Sequence, residues 1–308
     1  MVHTATLYCN LSLEEINKIT HKFSIDINTF LLNLDNKFEG FSSHIYFKYT
    51  YSLYITIDFI EMLKTPYIDN SHYIKCEKII NKFLSNLGLS LEDLTLIRID
   101  YRKDIITEDC IERAVLFSCF SKALDTYRLK NKNCTFDTTV YYSNKSIQAI
   151  IYDKEQERID KDCSIKDYEK DVLRFEVRLL NKHLNTNKNK YKIEKTLKNY
   201  FSVEKHQGYF KKYILPVIFY EDFYTFEEAK KIINNSLLKE KEKAFLKKFL
   251  NTVLRRNLTF CKNNLTTYKY NKALSLLKKL NINPLPITYI NPFISKLSNP
   301  FSKTSIIK

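Results

Sequence analysis

Between Thr138 and Arg178 polar and apolar residues alternate in three short runs, a period-two pattern that belongs to extended strands. TTVYYS leads through a Ser143-Asn144-Lys145 turn into SIQAIIYD, which predicts a β-hairpin, and DVLRFEVRLL supplies a third strand. In that third strand Arg174, Glu176 and Arg178 occupy every second position and share one face. The hairpin's second strand ends at Tyr152, which shares its face with Gln148 and Lys154, and Glu157 follows shortly after.

The surrounding chain reads as further strands and helices. Residues 4–9 form a first strand, and Ser12-Leu13-Glu14-Glu15 marks a helix start. Residues 44–62 alternate loosely and predict two strands broken near Tyr51-Ser52. Residues 73–87 have helical spacing and stop at Gly88. The strand LTLIRIDYRKDI places Leu96, Arg98 and Asp100 on one face, and a long helix over 107–129 is capped by Thr107. This order predicts an α+β domain, an antiparallel sheet with helices mainly on one face. From residue 191 the pattern turns helical, with helices over 192–203, 226–239, 242–255 and 265–280. The last carries an apolar stripe of Leu265, Tyr268, Ala273, Leu276, Leu277 and Leu280, with Lys269 and Lys272 largely outside it. Two short helices joined near Leu258 to Asn264 are expected to make a helix-turn-helix.

Charge divides the chain the same way. Residues 182–308 hold 26 basic and 8 acidic side chains, a net +18, whereas the first 181 are net −3. The expected organisation is a catalytic domain over 1–185, a helical, basic DNA-binding region over 190–285 and an irregular tail over 286–308. Three glycines, with neither G-x-G-x-x-G nor G-x-x-x-x-G-K-S/T, exclude dinucleotide and P-loop chemistry. Seven scattered cysteines without a C-x-x-C read as reduced thiols. No run approaches the ~18 apolar residues of a membrane span and the N-terminus is no signal peptide, so a soluble, cytoplasmic protein is expected.

Asp100, Tyr152 and Glu176 come from three strands, each opposite the expected buried face, so they are expected to meet on one exposed surface. A phenol with two carboxylates suits phosphoryl transfer. Free tyrosine has a pKa of about 10, and a divalent cation on acidic ligands would favour the attacking oxygen. Oxygen ligands point to Mg²⁺ or Mn²⁺, with Asp100, Glu176 and Glu157 as candidate ligands. Lys154 is placed to stabilise the phenolate or the phosphorane charge. Arg98 and Arg174 sit beside the acids, either to bind phosphate or to neutralise carboxylates. The aromatics of residues 44–62 suit either base stacking or half-buried strand packing.

Arg98-Ile99-Asp100, Thr139-Val140-Tyr141-Tyr142, Tyr152-Asp153-Lys154 with Glu157, and Leu173-Arg174-Phe175-Glu176-Val177-Arg178 follow one another in an order that resembles gene II/X-type replication initiators of filamentous phages. The Tyr152-x-Lys154 piece is also similar to Rep_trans plasmid initiators and related conjugative relaxases. The likeness covers roughly residues 90–185 and, more weakly, the last helix. It implies an HUH-like (RRM/ferredoxin-like) sheet and a sequence-specific nick in one strand of a duplex origin. Tyr152 matches the family tyrosine that becomes joined to the 5′ phosphate. The released 3′-hydroxyl then primes synthesis by a host polymerase, with a host helicase as further partner, and a second transesterification recloses the strand. No H-x-H pair exists among the six histidines, so acidic ligands take the place of the histidine metal site usual in rolling-circle nickases. Arg98, Arg174, Arg178, Lys269 and Lys272 are the candidate DNA contacts. A plasmid initiator, a mobilisation relaxase, a non-catalytic DNA-binding replication regulator and a basic RNA-binding protein are the rival readings.

Overall fold

The computed structural model describes residues 1–126, 129, 131–288 and 294–301, with backbone alone at 22–23 and 131–136. Eight strands, β1 (Val2–Leu11), β2 (Phe41–Phe47), β3 (Tyr51–Asp58), β4 (Thr95–Ile106), β5 (Asn131–Phe136), β6 (Thr139–Ser143), β7 (Ile147–Asp153) and β8 (Val172–Leu180), form one sheet in the order β2-β3-β1-β4-β8-β7-β6-β5. The antiparallel α+β architecture, followed by a helical C-terminal region, is the one expected. The chain gathers into two compact units. The first comprises Met1–Arg102, Lys145–Gln148 and Glu176–Tyr209; the second comprises Lys103–Asn144, Ala149–Phe175 and the chain from Phe210 onward.

In the first unit β1 lies between β3 and β4, antiparallel to both. Alternation sends Ala5, Leu7, Leu53, Ile55 and Ile57 to a buried face and Thr4, Thr6, Tyr54 and Thr56 to the other. Each fully buried Leu or Ile contributes about 1.5–3 kcal/mol. On the buried side Phe83, from the helix Tyr73–Ser85, stacks on Phe41 with ring centroids 4.3 Å apart. The Ser12 start is a full capping box: Ser12 accepts from the Glu15 amide while Glu15 accepts from the Ser12 amide.

Two β-bulges reset the faces that simple alternation predicts. Thr6 faces Arg98, but Leu7 faces Leu96, so the register slips between them. Leu96 therefore joins Ile99 in the core, and only Arg98 and Asp100 remain on the polar face, correcting the expectation that all three share it. A second slip between Val2 and Thr4 turns His3 to the polar face.

In the second unit the β6–β7 hairpin forms where expected. The strand of β7 stops at Asp153, whose carboxylate caps the amides of Glu155 and Gln156 and starts the helix Lys154–Asp160. Lys154 is therefore helical and does not continue the strand face of Tyr152. The helix expected over 107–129 is Cys110–Phe120, capped by Asp109, while the Thr107 hydroxyl donates to the Asp171 carbonyl. Residues 127–128 of that expectation lie outside the described residues.

The expected helix over 192–203 is replaced by Asn181–Tyr191 and the turn Leu197–Tyr200 in the first unit, because Lys192 adopts φ +58 and ends the preceding helix. Phe226–Asn235, Glu240–Arg255, Leu258–Asn264 and Thr267–Lys279 follow in the second. Thr266 caps the last, and Tyr270, Ala273, Leu276 and Leu277 form its buried stripe while Tyr268 is exposed. Lys296–Leu297 pairs with Phe223–Tyr224; residues 289–293 and 302–308 of the expected tail lie outside the described residues. The six described cysteines are free, and the side chain of Cys134 lies outside the described residues. Among the described residues no helix is long and apolar enough to cross a membrane.

Candidate functional site

The expected constellation falls into two groups, one in each unit. On the polar face of the first, strand alternation aligns Arg98 with Asp100 on β4 and Glu176 with Arg178 on β8. Arg98 donates through Nε to Asp100 Oδ1 at 2.9 Å and through Nη2 to Oδ2 at 2.6 Å, and the Thr4 hydroxyl donates to Oδ2 at 2.8 Å. Arg178 donates to Glu176 Oε2 from Nε at 3.0 Å and Nη2 at 2.7 Å, and its Nε lies 3.7 Å from Asp100 Oδ2. Arg178 thus joins the two acids. Both carboxylates are buried, so the expected exposed surface is corrected: charges this deep persist only with partners, and the arginines supply them.

His3 and Asp58 complete this face, and the sequence reading missed both. His3 Nδ1 lies 3.5 Å from Glu176 Oε1 and Nε2 lies 3.6 Å from Asp58 Oδ2, so the imidazole stands between the two carboxylates. The Asp58 carboxylate also caps the amides of Ile60 and Glu61. His3 was hidden because its orientation depends on the bulge. Asp58, at the end of an alternating strand and just before Phe59-Ile60, carried a legible capping signal.

The second group surrounds the junction of β7 with the helix Lys154–Asp160. Tyr152 is the penultimate strand residue and is buried. Lys154, also buried, donates through Nζ to Glu157 Oε2 at 2.6 Å and lies 3.5 Å from Glu169 Oε1. Arg158 clamps both oxygens of Glu169 at 2.8 Å, and Lys161 also pairs with Glu157. Burial pushes the Glu157 carboxyl up, but hydrogen bonds from Lys154 and Lys161 outweigh it and hold the group below the usual range. Glu169 is likewise lowered, Arg158 and Lys154 overcoming its burial. Arg113 ties the junction down through Asp153, Glu155 and Asp171.

Arg174, also in the second unit, is 1% exposed and makes a bidentate pair with Asp104, Nε and Nη2 each 2.8 Å from a carboxylate oxygen. Of the two roles the sequence left open for it, neutralising a carboxylate is the one seen. Lys272 pairs with Glu242 at 2.9 Å on the surface, and Lys269 stands one turn before it on the same helix.

A Mg²⁺ or Mn²⁺ site needs several oxygen ligands converging at about 2.0–2.2 Å. Among the described residues no group of three or more His, Cys, Asp or Glu is placed to hold a metal ion. Arg98 and Thr4 engage Asp100, Arg178 engages Glu176, and two lysines engage Glu157. As arranged, these acids do not fit the ion, and no chemical step below runs through one.

Asp100, Tyr152, Lys154, Glu157 and Glu176 lie within one continuous stretch recognised by comparison with known families. Residues 75–204 match the family of the N-terminal region of the phage gene II replication-associated protein. The match spans less than half the chain and points to a phage gene II-type replication initiator, in agreement with the resemblance carried by the sequence motifs. Lys269 and Lys272 fall beyond it. No curated protein matches the chain.

Proposed function

We propose that this chain initiates replication by opening one strand of a DNA duplex through Tyr152. The observation that carries the reading is the family match, whose span holds the tyrosine and every candidate acid. The phenolic oxygen attacks a backbone phosphorus as the bond from phosphorus to the 3′ oxygen breaks. The proton lost by the phenol is balanced by the one gained by the departing 3′-hydroxyl. One phosphodiester is exchanged for another, so the link to tyrosine conserves the energy needed to reseal. The 3′-hydroxyl attacks the phosphotyrosine in the reverse step.

Within this scheme Asp153 fixes the junction that presents Tyr152, and Lys154 supplies positive charge next to it in the chain. The paired Arg98 and Arg178 are the proposed phosphate contacts of the first unit, and Lys269 and Lys272 those of the last helix. A free 3′-hydroxyl is the substrate of a host polymerase, and strand displacement calls for a helicase, which places the protein in the cytoplasm of a bacterial host.

The test is a covalent adduct assay. Supercoiled DNA carrying the cognate replicon is incubated with protein and Mg²⁺, Mn²⁺ or a chelator, then resolved under denaturing conditions. Tyr152→Phe is expected to abolish nicking and adduct while leaving DNA binding within about twofold of wild type. An adduct that survives in Tyr152→Phe removes this tyrosine as nucleophile. Loss of activity in chelator is the result expected if Mg²⁺ or Mn²⁺ serves the reaction.

A further inference from the structure

The polar face of the first unit carries a second feature, beyond the buried acids. Across β2, β3 and β1, His44, Tyr54 and Tyr8 stand in one cross-strand row. The His44 and Tyr54 rings stack 5.1 Å apart and 5° from parallel, and Tyr8 lies tilted against Tyr54, also at 5.1 Å. Tyr46 meets both His44 and Tyr54 edge-on and is 63% exposed. At the β2–β3 turn Tyr49 is 86% exposed, and the Lys48 ammonium lies 5.5 Å from the Tyr49 ring centre. Aromatic surface of this extent calls for an occupant.

The polar groups around the rings indicate which. The next cross-strand row is Ser42, Thr56, Thr6 and Arg98, with the Thr6 and Thr56 hydroxyls 3.1 Å apart. On the other side the Asn10 amide oxygen accepts from Tyr8 and Ser52. Cations therefore stand at both borders, Lys48 at the turn and Arg98, whose side chain is 40% exposed, beside the threonines. Flat rings at strand spacing, bordered by cations and hydroxyls, match a polyanion with splayed bases: the bases stack and the phosphates meet the charges. A duplex offers no free base faces to such a surface.

We propose that this face of β1, β2 and β3 is a platform for single-stranded DNA, with bases stacked on Tyr46, on the His44–Tyr54 pair and on Tyr8. The platform extends toward Arg98 and Arg178, so the strand it grips leads to the acid-lined end of the same unit. The choice of DNA over RNA rests on the replication-initiator reading; the stacking chemistry does not.

The experiment is fluorescence anisotropy of full-length protein with a labelled oligo(dT) of about 12 nucleotides, within the range such surfaces cover. Matched duplex and oligo(rU) probes run alongside. Tyr46→Ala is expected to weaken oligo(dT) binding roughly 5- to 150-fold and to leave duplex binding within about twofold. Tyr46→Phe, which keeps the π face, is expected to retain wild-type affinity. Tyr46 is largely exposed, and an unchanged thermal midpoint shows that Tyr46→Ala is folded. Unchanged oligo(dT) affinity in a folded Tyr46→Ala/His44→Ala double variant overturns the proposal, as does a wild type that fails to bind oligo(dT). Tighter, Tyr46-dependent binding of oligo(rU) overturns the assignment to DNA. A concentration-dependent dimer that Tyr46→Ala dissolves, without any effect on oligo(dT), makes the face a self-association surface instead. These results are separable from the nicking test: Tyr152→Phe abolishes the adduct only if the initiator reading holds, whatever Tyr46→Ala does.

Discussion

Arg174 and Asp104 offer the sharpest test of how charge is used in the second unit. Their side chains are 1% and 3% exposed, and two hydrogen bonds of 2.8 Å join them. Arg174→Met removes the guanidinium that donates both of these hydrogen bonds to a buried carboxylate, and breaking such a buried pair costs about 3–5 kcal/mol. That is a large part of the roughly 5–15 kcal/mol that holds an ordinary domain folded. Asp104→Leu leaves a buried cation and costs a similar amount. The double variant Asp104→Leu/Arg174→Met removes both charges and both desolvation penalties. It is expected within about 1 kcal/mol of wild type, or above it, giving a coupling energy of several kcal/mol. Urea unfolding followed by circular dichroism on all four proteins measures the cycle. An Arg174→Met protein that unfolds at the wild-type midpoint while the slope of its DNA affinity against salt falls by about one would instead mark Arg174 as a phosphate contact.

Three further outcomes follow from particular residues. Gly40 has φ +82, and an added Cβ would lie 2.6 Å from the Asp58 carbonyl oxygen and the Met62 amide nitrogen; Gly40→Ala should cost more than about 1 kcal/mol in thermal unfolding. Glu157 and Glu169 are both held below the ordinary 4.5, so their contribution to stability is whole above that value and drains away as pH falls through their folded-state pKa values. Acid unfolding curves should show this loss in wild type and a flatter profile in Glu157→Gln/Glu169→Gln. Lys269→Ala and Lys272→Ala should leave the unfolding midpoint unchanged and each lower the salt slope of DNA binding by about 0.9, as read by filter binding across a salt series.

Much of the sheet was legible because its side chains alternate cleanly: the β6–β7 hairpin, the break between β2 and β3, and β8 all follow period two. The errors sit where backbone geometry departs from that rule. A slipped register near Leu96 leaves no mark in composition, so alternation put Leu96 beside Arg98 and left His3 unremarked. Arg174 was ambiguous for a different reason. Charged residues at alternate positions look the same whether they face water or each other, and only strand order distinguishes the two. The helix Asn181–Tyr191 escaped notice because it is nearly all polar. Its buried residues are Leu184 and Asn187, and Asn187 donates to the hydroxyls of Tyr200 and Tyr209 instead of joining an apolar stripe. In the candidate site, residue types were readable, whereas the pairing of each acid with a cation was not.

The position of β1 between β3 and β4 has a consequence for synthesis. Thr4 bonds to Asp100, 96 residues later, so β1 is completed late. At about 5–20 residues per second the ribosome needs roughly 5–20 s to deliver that partner. During this interval one edge of β1 can pair with β3, while the edge awaiting β4 presents unsatisfied amides and carbonyls. A nascent chain in this state is open to mispairing, so slowing translation between residues 60 and 95 should lower the yield of folded protein more than the same delay after residue 110.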